Sequence, residues 1–489
     1  MNEIPLKNTG PLVKGALSPD GQEPPRALRA LARIIDNDLC HRCGSCIGIC
    51  PTKVLGLDRQ DFPIVKNLAA CTDCDLCVKV CPGDEFNVPE ISKQLFPQAP
   101  DLRDMHGHIE QAYLAYASEE QIRKNSTSGG LISGLLVSLL EQGVITGAAV
   151  VASDDQVLWK GKPKIARSKT EILAAMKSKY AISPTNITFE EIREVEGRYA
   201  VVGLPCQIHG YHKAAALDRR IKDRVVLSIG LFCHAAVEHD AMYTIWDSLE
   251  LETPQQKQAN PAQKFISRIG KHPGTPYIFF KDGSTQPVYF PKVKNGYRPS
   301  SMEVLNILYR LYTPPRCLTC YDSTSEFADL AVGDPWMTPP EGVDFYDGWS
   351  FALARTKRGI ALVEQAEKAN ALVLKRISSE LARTSNLMMG HEKRGRAFRI
   401  IETRRRQGEL IPDYQFEIPR ASGKEFILTE LNMFSHFFCF VPWGKQRLLR
   451  LTLSQFGYWM LWLNSKRRGL RFFRRDLLTK LKRKFGATG

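Results

Sequence analysis

The chain has 489 residues, 43% of them apolar and 24% charged, the balance of a globular protein with room for two to four domains. Its net charge of +15 is concentrated in a tail: Lys445 to Gly489 holds 13 Lys or Arg against one acid, Asp476, a local +12. The remaining body carries only about +3, which excludes a nucleic-acid-binding body.

No apolar run reaches the roughly 18 residues of a membrane-spanning helix, and the N-terminal stretch lacks the apolar core of a signal peptide. A cysteine-rich chain without an export signal is expected in the reducing cytoplasm.

Residues 1–31 read as a flexible Pro/Gly arm, and residues 32–90 as a two-cluster ferredoxin-like domain. The latter holds C-H-R-C-G-S-C-I-G-I-C-P (Cys40–Pro51) and C-T-D-C-D-L-C-V-K-V-C-P (Cys71–Pro82), both of the form C-x2-C-x2-C-x3-C-P. In that spacing three thiolates hold one 4Fe-4S cube and the fourth reaches the other cube. The expected ligands are Cys40, Cys43, Cys46 and Cys81 for one cluster, and Cys50, Cys71, Cys74 and Cys77 for the second. Each run should turn into a short helix, with short strands at Val54–Leu57 and Phe62–Val65 between them. A zinc site or disulfide framework would not need two four-cysteine runs each ending in Pro.

A polar linker (91–108) leads to an apolar helical stripe at Leu131, Leu135, Leu136, Leu139 and Leu140, with Gly143 as its stop. The helix starts at Ser126-Thr127-Ser128-Gly129-Gly130. This is an anion-binding arrangement suited to a phosphate, or equally an ordinary N-cap. Strands are predicted at Gly147–Ala152, Tyr199–Gly203 and Val225–Ile229, with a helix over Thr170–Lys179. The alternation gives an α/β core. Cys206 and Cys233 lie just beyond the carboxyl ends of the last two strands, where α/β proteins place ligands. With the Cys317-Leu318-Thr319-Cys320 pair they make four thiolates. By spacing alone these fit zinc, a third cluster, or two buried cysteines plus a redox pair.

The ordered set S-T-S-G-G, S-K-Y (Ser178–Tyr180), V-G-L-P-C-Q (Val202–Gln207), G-L-F-C (Gly230–Cys233), C-L-T-C and A-D-L-A-V-G-D (Ala328–Asp334) resembles the coenzyme F-420 hydrogenase/dehydrogenase beta-subunit family over about residues 36–385. The family also includes 7-hydroxymethyl chlorophyll a reductase-like proteins. The resemblance implies an iron–sulfur flavoprotein oxidoreductase with FAD beside a third 4Fe-4S cluster held by Cys206, Cys233, Cys317 and Cys320. It makes Ser126, Ser128, Gly129, Gly130, Lys179 and Tyr180 candidates for the flavin site. Twelve of the thirteen cysteines would then be ligands, leaving Cys439 as an inert thiol. The family's two parts fall at 109–200 and 201–390, followed by a helical basic extension at 391–489.

That inventory implies a path from a ferredoxin or other one-electron carrier, through the clusters and flavin, to a two-electron substrate, or the reverse. Deazaflavin F-420, a chlorophyll-type pigment and an unrelated metabolite all remain open as that substrate. The alternative is a non-catalytic electron-transfer subunit of a larger, membrane-associated complex. No catalytic acid is assigned; His209 and His234, beside cluster cysteines, fit supporting roles at least as well. In the tail, Leu449, Leu453, Phe456, Met460 and Leu463 follow a helical spacing, widened by Trp459 and Trp462. A second basic helix carries Leu470, Phe473, Leu477 and Leu481. Such a tail suits an anionic membrane surface at the inner face, an acidic partner, or packing on the body.

Overall fold

The computed structural model describes residues 4–5, 24–97, 101, 103–270, 274–288, 301–419, 442–457, 459–463 and 466. Cys439 and the second basic helix expected around Leu470–Leu481 lie outside them. The strands β1 (Ile4–Pro5), β2 (Leu55–Leu57) and β3 (Pro63–Val65) form a small antiparallel sheet of order β1-β3-β2. Beside it, helix α1 (Arg26–Asp36) buries Leu28, Leu31, Ala32 and Ile35. Composition alone assigns the start of this helix to a flexible arm. Its apolar residues, three and four apart, bury a stripe instead. The first turn is tied down by Asp73 Oδ1, which accepts from Ala27 N at 2.7 Å, and by the Arg26–Asp75 ion pair. Both cysteine runs turn into single helical turns, Ser45–Gly48 and Leu76–Lys79. Each is entered through a left-handed residue, Gly44 (φ 87°) and Asp75 (φ 62°). The expected linker is partly helical: Val88–Leu95 is capped by Asn87 Oδ1 accepting from Glu90 N at 3.0 Å.

An eight-stranded mixed sheet follows. It contains β4 (Gln111–Ala117), β5 (Gly147–Ser153), β6 (Gly161–Ala166), β7 (Tyr199–Gly203) and β8 (Val225–Leu231). A separate antiparallel sheet is inserted next: β9 (Ala262–Ile269), β10 (Thr275–Phe280) and β11 (Thr285–Pro287). The chain then returns with β12 (Leu330–Gly333), β13 (Ser350–Ala354) and β14 (Leu372–Ile377). The order is β14-β4-β13-β12-β8-β7-β5-β6, with β12, β8, β7 and β5 parallel and the flanking pairs antiparallel.

Side chains alternate between the faces of a strand, and the packing follows that period. Ala148 and Ala200 pack with helix α2 (Leu131–Glu141), whereas Ala149 and Val201 pack with helix α3 (Pro205–Leu217) and the N-terminal module. Leu31, Ile47 and Val54 of that module share one apolar cluster with Tyr211 and Ala214 of α3. The predicted helix over Thr170–Lys179 is shorter, Lys169–Ala174. Lys177 takes a left-handed φ of 76°, and Lys179 Nζ folds back onto the carbonyls of Ala175 (2.7 Å) and Met176 (2.8 Å).

The contact between module and sheet is a seam of glycines. A Cβ on Gly48 would lie 2.2 Å from Asn186 O, and one on Gly210 2.2 Å from Ser45 Oγ. Asn186 closes the seam: its N–H donates to Cys43 O (2.9 Å), and its Nδ2 donates to Ser45 Oγ (2.8 Å) and Gln207 O (2.9 Å). Gly48→Ala should therefore lower unfolding stability by about 1–3 kcal/mol through overpacking. An anaerobic melt followed by circular dichroism checks this, and an unchanged midpoint would show that the seam yields.

Candidate electron-transfer site

The thiolates fall into three groups that can be read from the charges each one feels. Cys46 is repelled by Cys40, Cys43 and Cys81, and Cys77 by Cys50, Cys71 and Cys74. Cys206 is repelled by Cys43 of the first group and then by Cys320, Cys317 and Cys233. These are the three quartets the sequence puts together. The groups are also neighbours in series, since Cys77 acts electrostatically on Cys46 and Cys43 on Cys206. Of the twelve, Cys74 is exposed, whereas Cys43, Cys46, Cys77 and Cys320 are buried.

Four thiolates per group are the donor set of a 4Fe-4S cube. Among the described residues no three His, Cys, Asp or Glu side chains are arranged to hold a single metal ion. A cube takes its ligands on four separate irons, so they stand wider apart than those of one zinc. The surroundings fit such a group. Backbone N–H groups of Arg42 and Val54 donate to Cys40 Sγ (3.3 Å) and Cys50 Sγ (3.4 Å). A Cβ on Gly83 would lie 2.1 Å from Leu39 O and 3.3 Å from Cys81 Sγ. Burial pushes the Cys46 and Cys206 thiols well up, a cost that coordination to a cation reverses.

Buried cations surround the third quartet. On helix α4 (Leu387–Arg406), Lys393 Nζ donates to Cys233 O (2.8 Å) and Asp322 O (2.6 Å), and it feels Cys320, Cys233 and Cys317. Arg316 bridges two quartets: it donates to Pro82 O and Gly83 O (both 3.3 Å), and to Thr319 Oγ1 (3.0 Å) and Tyr414 Oη (3.2 Å). His209 is buried, stacked at 4.0 Å on Phe86 and within 3.1 Å of Asp322 Oδ2, and burial lowers its pKa. His234 lies against the Tyr309 ring at 5.3 Å. Neither histidine lines the cavity described next.

A cavity of about 290 Å³ opens beside the carboxyl end of β5. Its walls include Ser153, Trp159, Lys177, Ser178, Lys179 and, from β9, Lys264–Ser267. Ser178 and Lys179, singled out in the sequence, lie in it. The S-T-S-G-G loop adjoins it: Ser178 Oγ donates to Thr127 Oγ1 (3.3 Å) and Lys177 Nζ to Ser126 O (3.0 Å). Much of the loop's polar capacity is already used. Ser126 Oγ donates to Ile122 O (2.7 Å), and Gly129 N donates to Ser350 Oγ (3.1 Å), which also pairs with Ser128 Oγ (3.1 Å). A Cβ on Gly129 would lie 2.4 Å from Ala115 O, and Gly130 takes φ 77°, so both glycines have structural reasons. Lys179 caps its helix rather than reaching outward.

Burial, with Lys264 nearby, holds Lys179 down to about 7; burial, Arg268 and Lys264 hold Lys177 down to about 8. Trp159 Nε1 is buried without a hydrogen-bond partner. Tyr180, partly buried, follows the cavity-lining Ser178 and Lys179, and Tyr309 lies within electrostatic reach of Tyr180, Cys233 and Cys317. Sequence reading missed Lys177, Lys264, Trp159, Arg316, Lys393 and Tyr309. Arg316 and Lys177 adjoin motifs the sequence does single out, whereas the other four stand alone in it, and only the fold gathers them.

An N-terminal dicluster module docked on a mixed α/β sheet defines an iron–sulfur electron-transfer protein; residues 32–82 match the 4Fe-4S dicluster domain. The chain belongs to the coenzyme F420 hydrogenase/dehydrogenase beta-subunit family, matching its N-terminal part over residues 112–188 and its C-terminal part over 196–380. One subunit of the F(420)H(2) dehydrogenase of Methanosarcina mazei is 26% identical over 67% of this chain and 82% of that protein. The beta subunit of the coenzyme F420 hydrogenase of Methanothermobacter thermautotrophicus is 27% identical over 55% and 86%. The coenzyme F420-dependent sulfite reductase of Methanocaldococcus jannaschii is 26% identical over 72% of this chain, which spans about half (52%) of that protein. A chain of the F420-reducing [NiFe] hydrogenase complex of Methanosarcina barkeri is similar over 65% of this chain and 98% of that one, at 24% identity and a TM-score of 0.48.

A buried cation beside a cluster stabilises its more negative, reduced form. Were a cluster held at Cys206/Cys233/Cys317/Cys320, Lys393→Met would therefore lower its reduction potential by an interaction on the order of 1–2 kcal/mol, roughly 40–90 mV for one electron. Lys393→Arg should restore most of it. An EPR-monitored redox titration reads both; an unmoved potential would reduce Lys393 to a packing role.

Proposed function

We propose that the chain is an iron–sulfur flavoprotein that exchanges electrons between a one-electron carrier of the ferredoxin type and a two-electron carrier, with deazaflavin F420 as the leading candidate. What supports this reading most is the neighbouring of Cys50/71/74/77, Cys40/43/46/81 and Cys206/233/317/320, with Tyr309 within electrostatic reach of Cys233 and of Tyr180, the residue after cavity-lining Lys179. The relatives' names supply the choice of F420.

In this reading the quartets would each hold a 4Fe-4S cluster, and the ring system of FAD would occupy the cavity. Clusters exchange single electrons, whereas a flavin deals with one- and two-electron partners, which is the chemistry these groups supply when bound. The protein's own residues do the rest. Exposed Cys74 marks the second quartet as the side open to an outside carrier. Arg316, Lys393 and the seam at Asn186 hold the inner quartets in register and exclude water. The cavity is at the small end for a cofactor site, and suits the ring part of a flavin rather than a whole dinucleotide. Trp159 Nε1 offers an unused donor, and Lys177, Lys179 and Lys264 offer positive charge. A second reading, a relay subunit without its own flavin, draws on two of these relatives being named as subunits.

Anaerobic purification of the full chain separates the two. The first reading expects about twelve irons per chain, bound FAD, and reoxidation of the reduced flavin by F420. Full iron content without flavin would favour the relay. Cys317→Ser should remove about four irons, and an unchanged iron content would sink the third cluster.

The lysines give a pH test with a defined sign. Lys177 and Lys179 are cationic below about 8 and 7 and lose that charge as pH rises. Affinity of the flavin-free chain for FAD should therefore weaken between about pH 7 and 9, measured by flavin fluorescence quenching. A flat profile would remove these lysines from the site.

A further inference from the structure

The tail divides differently from its sequence stripe. In the helix Pro442–Leu453, Leu449 is fully buried in a cluster with Val237, Ala241, Ile245, Leu311 and Tyr312, while Leu448 and Leu453 pack at its edge. Lys445 Nζ lies 5.0 Å over the Tyr312 ring. This element is therefore fastened to the body. Beyond it, over residues 455–457 and 459–463, the large apolar side chains are open: Phe456 (56%), Trp459 (49%), Met460 (48%) and Leu463 (38%) are exposed, as is Leu451 (48%). Positions 456, 459, 460 and 463 fall on one helical face. Isolated exposed apolar residues are ordinary; four large ones on one face are not.

Two observations select the occupant. The sequence from Lys445 carries 13 Lys or Arg against one acid, and of its described members Arg447, Arg450 and Lys466 are exposed, so whatever covers the stripe must tolerate positive charge. The stripe also mixes Trp and Phe with Met and Leu, the composition that settles at the boundary between headgroups and acyl chains. No helix among the described residues is long and apolar enough to cross a membrane. We propose that the face bearing Phe456, Trp459, Met460 and Leu463 binds the surface of an anionic lipid bilayer, with the apolar side chains in the acyl boundary and the basic residues against the headgroups. The inference is independent of the redox reading and stands or falls without it.

The test sediments the full chain with phosphatidylcholine vesicles, with and without phosphatidylglycerol, at low and high salt. Binding to the anionic vesicles should exceed binding to the neutral ones by at least about tenfold and weaken with salt. The variant F456S/W459S/L463S should lose at least about tenfold, with its cluster absorbance intact as a folding control. Tyr346→Ser, which removes an exposed aromatic elsewhere on the surface, should bind like the parent. Quenching of the parent's tryptophan fluorescence by brominated acyl chains gives a readout that needs no variant. Equal binding to both vesicle types, no quenching, or undiminished binding of the triple variant would overturn the proposal. So would concentration-dependent self-association, without lipid, that the triple variant abolishes, because a second copy would then be the occupant.

Discussion

Asn186 is the joint on which the arrangement depends. One side-chain amide donates to Ser45 Oγ and to Gln207 O, while its backbone N–H holds Cys43 O. The loop bearing the first quartet is thus pinned to the helix that begins beside Cys206. Buried hydrogen bonds of this kind meet no competition from water, and losing one leaves unsatisfied partners at a cost of about 1–3 kcal/mol. The glycines at 44, 48 and 210 let the two backbones approach closely enough for a single amide to span them. Arg316 repeats the link from the other side, joining the Pro82-Gly83 turn to the Cys317–Cys320 loop.

Charge explains much of what surrounds that joint. A set of buried thiolates is unfavourable unless cations accompany it. The interior supplies Arg316 and Lys393 next to the sulfurs, with Arg355 and Arg394 one layer out. Those arginines are balanced in turn: Arg394 pairs with buried Glu326, and Arg355 donates to His106 O, His108 O and Thr324 O. Burial pushes Glu326 up to about 7 despite Arg394, so the balance is close. Clusters bound at these cysteines would bring negative charge beside Arg316 and Lys393 and so take an electrostatic share in holding the fold together.

The legible part of the molecule was the part written in local pattern. The C-x2-C-x2-C-x3-C-P runs declare their helical turns and their partners, and β5, β7 and β8 announce themselves as apolar runs between turn residues. Six short motifs in order were enough to identify the family. What the sequence hid was long-range. Helix α1 was masked by the Pro-rich composition before it, and β9–β11 read as no recognisable unit. Beside Lys179, the cavity takes its charge from Lys177 and Lys264, which no spacing connects. Leu449 and Phe456 sit on one predicted stripe, yet one is buried and the other exposed, because the element turns after Leu453. The S-T-S-G-G loop looked like a phosphate cradle, but in the fold many of its polar groups already serve Ile122 and Ser350.

In the proposed function the quartets would hold three clusters in one series, with Cys77 within electrostatic reach of Cys46 and Cys43 within reach of Cys206. EPR of the fully reduced, anaerobically purified chain tests it directly. Paramagnetic clusters held this close should show spin–spin splitting, and Cys206→Ser should remove the part that arises between the first and third quartets. Three isolated signals without splitting, or a spectrum unaltered by Cys206→Ser, would contradict the account.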